Sequence, residues 1–62
     1  MQIKVFRQPI KEAQQLEAEI NAWLQANSSL VTIQRESHAY HNHATGEEDL
    51  VVLIWYGRRN EV

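Results

Sequence analysis

The sequence predicts an α+β fold, β-α-β-β, with one helix packed on a three-stranded sheet of strand order 1-3-2. Three observations predict it. The stretch Ile10 to Ala26 places Ala13, Leu16, Ile20, Trp23 and Leu24 at spacings of three and four, with no glycine and no internal proline; that is one stripe of a helix. The segments on either side, QIKVFR and LVTIQRESHAYH, alternate and are rich in β-formers, as strands are. The last segment, LVVLIWY at Leu50 to Tyr56, is apolar at every position. Such a run fits a strand buried on both faces, which places it in the middle of the sheet.

Each element follows in order. Gln2 to Arg7 is a short strand. Pro9 ends it and can begin a helix, since proline lacks the N–H that a first helical residue leaves unpaired. Gln14, Gln15, Glu17, Glu19 and Asn21 fall on the wet side of the helix. Asn27, Ser28 and Ser29 stop it, with Asn27 expected as a left-handed cap. In the second strand, Leu30 to about His41, Val31, Ile33, Arg35, Ser37 and Ala39 point one way and Thr32, Gln34, Glu36, His38 and Tyr40 the other. A polar loop, Asn42 to Asp49, contains Gly46 and suits a hairpin. Gly57 is expected to break the third strand, leaving Arg58 to Val62 as a tail. With the third strand central and antiparallel to both neighbours, the helix joins two parallel outer strands by a right-handed crossover. The helix stripe is expected to pack on Ile3, Val5, Val31 and Ile33.

Size and composition bound the rest. Sixty-two residues make a single domain, 1–62, with a thin margin of stability. The absence of cysteine excludes disulfides, thiolate nucleophiles and thiolate zinc sites. A net charge of −2, from eight acidic and six basic residues, argues against nucleic acid and anionic membranes as partners. No apolar run approaches the ~20 residues of a membrane helix, and a cytoplasmic location is the expectation.

The architecture leaves one face without cover. A helix is ~10 Å across, so it shelters one side of a three-stranded sheet and no more. Val51, Leu53 and Trp55 point to one side of the third strand; Leu50, Val52, Ile54 and Tyr56 point to the other. Tryptophan favours interfaces, so Val51, Leu53 and Trp55, with Phe6 beside them, are the expected interface residues. The expected function is a self-associating or protein-binding module without catalysis, a homodimer or higher homo-oligomer. Edge pairing through the long second strand is a second route, which Arg35 and Glu36 partly discourage.

A rival function is a small-molecule or metal binder, using the His38–His43 hairpin or an inter-subunit cleft. His38, His41 and His43 stand near Glu47, Glu48 and Asp49, and imidazoles with carboxylates bind zinc, nickel or copper. His38 points away from His41 and His43, however, so ligation by all three needs a broken strand. The plainer reading is a solvated hairpin tip, and no metal, catalytic or cofactor-binding residue is assigned. Phosphate loops and nucleophile elbows are missing.

The segments MQIKVF, LEAEINAWL and LVVLIWY together resemble the small acidic sporulation-associated proteins of spore-forming bacteria and related short bacterial proteins. The likeness covers most of the chain through its periodicity and supplies no site residues; the histidine-rich hairpin departs from it. Dodecins share the order of elements, but their flavin-stacking tryptophan lies on the second strand, where LVTIQRE has none and Trp55 is on the third. The small tautomerases need proline after the initiator methionine, where this chain has Gln2.

Overall fold

A computed structural model describes residues 1–58. The elements are β1 (Gln2–Pro9), a 3-10 turn (Ile10–Glu12), α1 (Ala13–Ala26), β2 (Leu30–Asn42) and β3 (Glu47–Arg58). The sheet order is β1-β3-β2, with both pairings antiparallel. The predicted α+β class, strand order and central third strand are therefore present. The strands run longer than their apolar runs, because backbone pairing continues into polar residues at either end. Gly57 does not break β3; it is buried within the strand and pairs with Val31. Of the tail expected over Arg58 to Val62, Arg58 closes β3, and residues 59–62 lie outside the described residues.

The helix stops without the left-handed cap expected at Asn27, whose φ is −121°. Instead Asn27 donates twice to the Trp23 carbonyl, through its backbone N–H at 3.0 Å and its side-chain Nδ2 at 2.8 Å. The side chain thereby adds a second donor to a carbonyl that already accepts the last intrahelical bond, and it holds the chain at the helix end. At the other end of the sheet, the loop 43–46 closes the β2–β3 hairpin. The Gly46 N–H donates to the Asn42 carbonyl at 2.8 Å, and the Ala44 N–H donates to Asn42 Oδ1 at 2.9 Å. Gly46 takes φ +73°, the left-handed region that a residue without Cβ enters at no steric cost.

Register fixes the two faces, because directly paired residues point to the same side. Lys4 pairs with Ile54, Phe6 with Val52 and Gln8 with Leu50; this side meets α1. The core beneath the helix is Phe6, Leu16 and Ile54, with Ile20, Trp23, Leu50 and Val52 packed around them. The Trp23 ring stands edge-on to Phe6 (6.1 Å between centroids, 78°) and to Tyr56 (5.1 Å, 67°). Such edge-to-face contacts contribute about 0.5–1.5 kcal/mol each beyond the area they bury.

This arrangement corrects the expected core. Leu16, Ile20 and Trp23 hold the helix stripe, while Ala13 and Leu24 are exposed. Ile3 and Val5 lie on the far side of the sheet, paired with Trp55 and Leu53. The reason is volume: Phe6 meets the Trp23 ring edge-on beneath the helix, and the smaller Ile3 or Val5 would fill less of that space. The second strand is corrected too. A bulge between Thr32 and Gln34 inserts Ile33 as an extra residue. It reverses the alternation, so Val31 shares a face with Gln34, Glu36, His38 and Tyr40, and Thr32 with Arg35, Ser37, Ala39 and His41.

Candidate interaction surface

The face turned away from α1 carries an apolar block over two strands: Ile3 and Val5 on β1, and Val51, Leu53 and Trp55 on β3. Ile3 is 47% exposed and Val5 52%, both outside the core. The three β3 residues are half-buried, because flanking strands shield a central one. Of the four expected interface residues, Val51, Leu53 and Trp55 share this open face. Phe6 does not; it is 7% exposed beneath the helix. Ile3 and Val5 were legible as open-face residues once Phe6 was turned inward, since alternation carries β1 with it.

Polar side chains border the block. Arg7, level with Val51, is on the β1 side; Gln34, Glu36 and His38, level with Trp55, Leu53 and Val51, are on β2. Gln34 Nε2 donates to Glu36 Oε1 at 3.1 Å, and His38 Nε2 lies 3.4 Å from Glu36 Oε2. The hairpin end of the face is closed by Asp49, which is 5% exposed. Its Oδ2 accepts from Asn42 Nδ2 at 2.9 Å and from the Tyr40 hydroxyl at 3.3 Å, and that hydroxyl accepts from Arg7 at 3.5 Å. A carboxylate this enclosed needs such donors to offset lost hydration. The sequence offered one sign of it, an aspartate set against the start of the apolar run.

The histidines do not converge. His38 is on the open face and His41 on the opposite one, paired with Glu48. His41 Nδ1 is 3.0 Å from Glu48 Oε1, and its ring meets His43 edge-on at 4.9 Å. Among the described residues, no three His, Asp or Glu side chains gather closely enough to hold a metal ion, and no helix is long and apolar enough to cross a membrane. Clefts among the described residues lie elsewhere. One of about 330 Å³ is lined by Gln2, Asn27, Leu30, Tyr56, Gly57 and Arg58. Another, about 220 Å³, lies beside Pro9, Ile10 and Glu48 at the Lys11–Glu47 ion pair, which spans 2.7 Å. The Glu47 hydrogen bond, and then its charge, raise the Lys11 pKa above the ordinary 10.5.

Neither protein-family models, nor curated proteins, nor solved structures yield a match to this chain.

Proposed function

We propose that this protein is a self-associating module whose open sheet face packs against the same face of a second copy. The observation that carries the reading is the block of Ile3, Val5, Val51, Leu53 and Trp55 opposite the helix. Contiguous apolar surface of this kind marks contact sites. The thin core supports it: among the described residues, only Phe6, Leu16 and Ile54 are buried apolar side chains. A fold this lean gains stability from any partner that binds the folded state, and a second copy is present wherever the chain is.

Charge supports the same occupant. The face has a cation, Arg7, on its β1 side and an anion, Glu36, on its β2 side. A two-fold axis along the strands lays β1 of one copy over β2 of the other, so each Arg7 comes level with the partner's His38, with the partner's Glu36 two residues (roughly 7 Å) further along and within reach of a long arginine side chain. Sedimentation equilibrium tests the reading. The wild-type chain sediments above the 7.3 kDa of one copy. Leu53→Glu sediments lighter and keeps its far-ultraviolet circular dichroism, since Leu53 is outside the core. A single-copy mass for the wild type at high micromolar concentration, or a mass unchanged by Leu53→Glu, defeats it.

A further inference from the structure

β2 is an outer strand, and its far edge has no strand neighbour among the described residues. It runs from Leu30 to Asn42, contains no proline or lysine, and is exposed from Thr32 to His41. Natural edge strands are usually blunted by such residues or by a covering element. Here blunting is limited to the bulge at Ile33 and the charges of Arg35 and Glu36, and β2 pairs regularly beyond the bulge.

We infer that this edge joins the β2 edge of another copy, antiparallel, about a two-fold axis at Ser37. The axis stands perpendicular to the sheet, so each residue meets one on the same face, and the possible registers differ only in the central residue. Charge separates them. Centring on Arg35 sets Arg35 against itself, and centring on Glu36 sets Glu36 against itself; like charges directly opposite destabilise a sheet. Centring on His38 opposes the two His38 rings and leaves Glu36 facing Tyr40. Centring on Ala39 places Glu36 opposite Asn42 and Arg35 opposite His43. Centring on Ser37 places Glu36 opposite the second copy's His38, twice, with Arg35 opposite Ala39 and Gln34 opposite Tyr40. Each Glu36, already 3.4 Å from its own His38, then has an imidazole on either side.

Area points the same way. Three strands and the eight residues of β1 give an open face of roughly 14 by 26 Å. Its flat footprint of roughly 370 Å² is under half of the ~800 Å² per partner typical of stable complexes. Edge pairing sets two open faces side by side on one continuous sheet and doubles the apolar area available for face packing.

A cysteine cross-link tests the register, in a chain that has no native cysteine. In the Ser37-centred pair the two Ser37 Cα atoms are ~4.5–5.5 Å apart, within disulfide reach. The two Ala39 Cα atoms are offset along the strands by four residues, roughly 13 Å, beyond it. Under mild oxidation Ser37→Cys forms a disulfide-linked dimer at least about tenfold faster than Ala39→Cys, and mixing Arg35→Cys with Ala39→Cys links the two. These residues are exposed, so the substitutions leave the fold intact. The measurement is made in a Val5→Glu background, where a charge on the open face removes face packing from β1, two strands away from Glu36, so edge pairing succeeds or fails independently of the face reading. No cross-link from Ser37→Cys, or equal rates for Ser37→Cys and Ala39→Cys, overturns the inference.

Discussion

Tyr40 and Asp49 face each other directly across the β2–β3 pair, and the Tyr40 hydroxyl donates to Asp49 Oδ2 at 3.3 Å. Because Asn42 donates to the same oxygen and Arg7 to the Tyr40 hydroxyl, all three strands are tied together beside the hairpin. Asp49→Ala removes the shared acceptor. The expected loss is about 1–2 kcal/mol, the lower part of the range for a stripped buried group, since Tyr40 is exposed enough to find water. A lowered urea midpoint with unchanged m-value checks it; an unchanged midpoint shows that the network does not support the fold.

Phe6 decides between the two faces of β1. It is 7% exposed and touches Trp23, so Phe6→Ala opens a cavity costing about 3–5 kcal/mol. That is comparable to the whole stability of a small domain, and the variant should lose its cooperative thermal transition. Val5→Ala, on the open face of the same strand, should melt cooperatively in the single-copy state. Equal damage from the two would contradict the assignment of faces.

Gly46 tests the hairpin. Its φ is +73° and nothing lies within 4 Å of the position a Cβ would take. The cost of Gly46→Ala is therefore backbone strain alone, about 1–2 kcal/mol. Gly46→Asn should cost less, because asparagine enters the left-handed region more readily. Thermal melts of the pair give the order; equal melting temperatures for alanine and asparagine would refute it.

The Lys11–Glu47 pair gives a pH signature. Its hydrogen bond raises the Lys11 pKa in the folded chain above 10.5. The stabilisation is therefore complete below 10.5 and is lost as pH rises through the folded value. The melting temperatures of wild type and Glu47→Gln should differ at neutral pH and converge at strongly alkaline pH. Both side chains are largely exposed (62% and 41%), so salt should also shrink the gap. A gap that stays constant with pH would show the contact to be inconsequential.

The fold was legible because two patterns allow little choice. The spacing of Leu16, Ile20 and Trp23 has no good reading except a helix, and LVVLIWY needs cover on both sides, which makes it central. The parity of Val51, Leu53 and Trp55 was barely legible, because every position from Leu50 to Tyr56 is apolar and only the preference of tryptophan for interfaces favoured one side. Phe6 was not legible, because QIKVFR alternates with apolar residues at Ile3 and Val5 on one face and Phe6 on the other. Only the contact with Trp23, made across the helix–sheet layer, selects the phenylalanine. Nor was the bulge at Ile33, since LVTIQRE alternates without interruption and the extra residue is set by pairing with β3. The Asp49 network depends on Arg7, Tyr40 and Asn42 arriving from two other strands, a proximity that no local pattern encodes.

The two margins of the sheet differ in kind. β1 is short, opens at Gln2 and ends in Pro9, which has no N–H to offer a newcomer. The edge pairing inferred above is then confined to β2, and a ribbon that joins along one side only terminates after a single joining. The continuous sheet formed by edge pairing therefore stops at two copies, where a sheet adhesive on both sides would lengthen into a fibre.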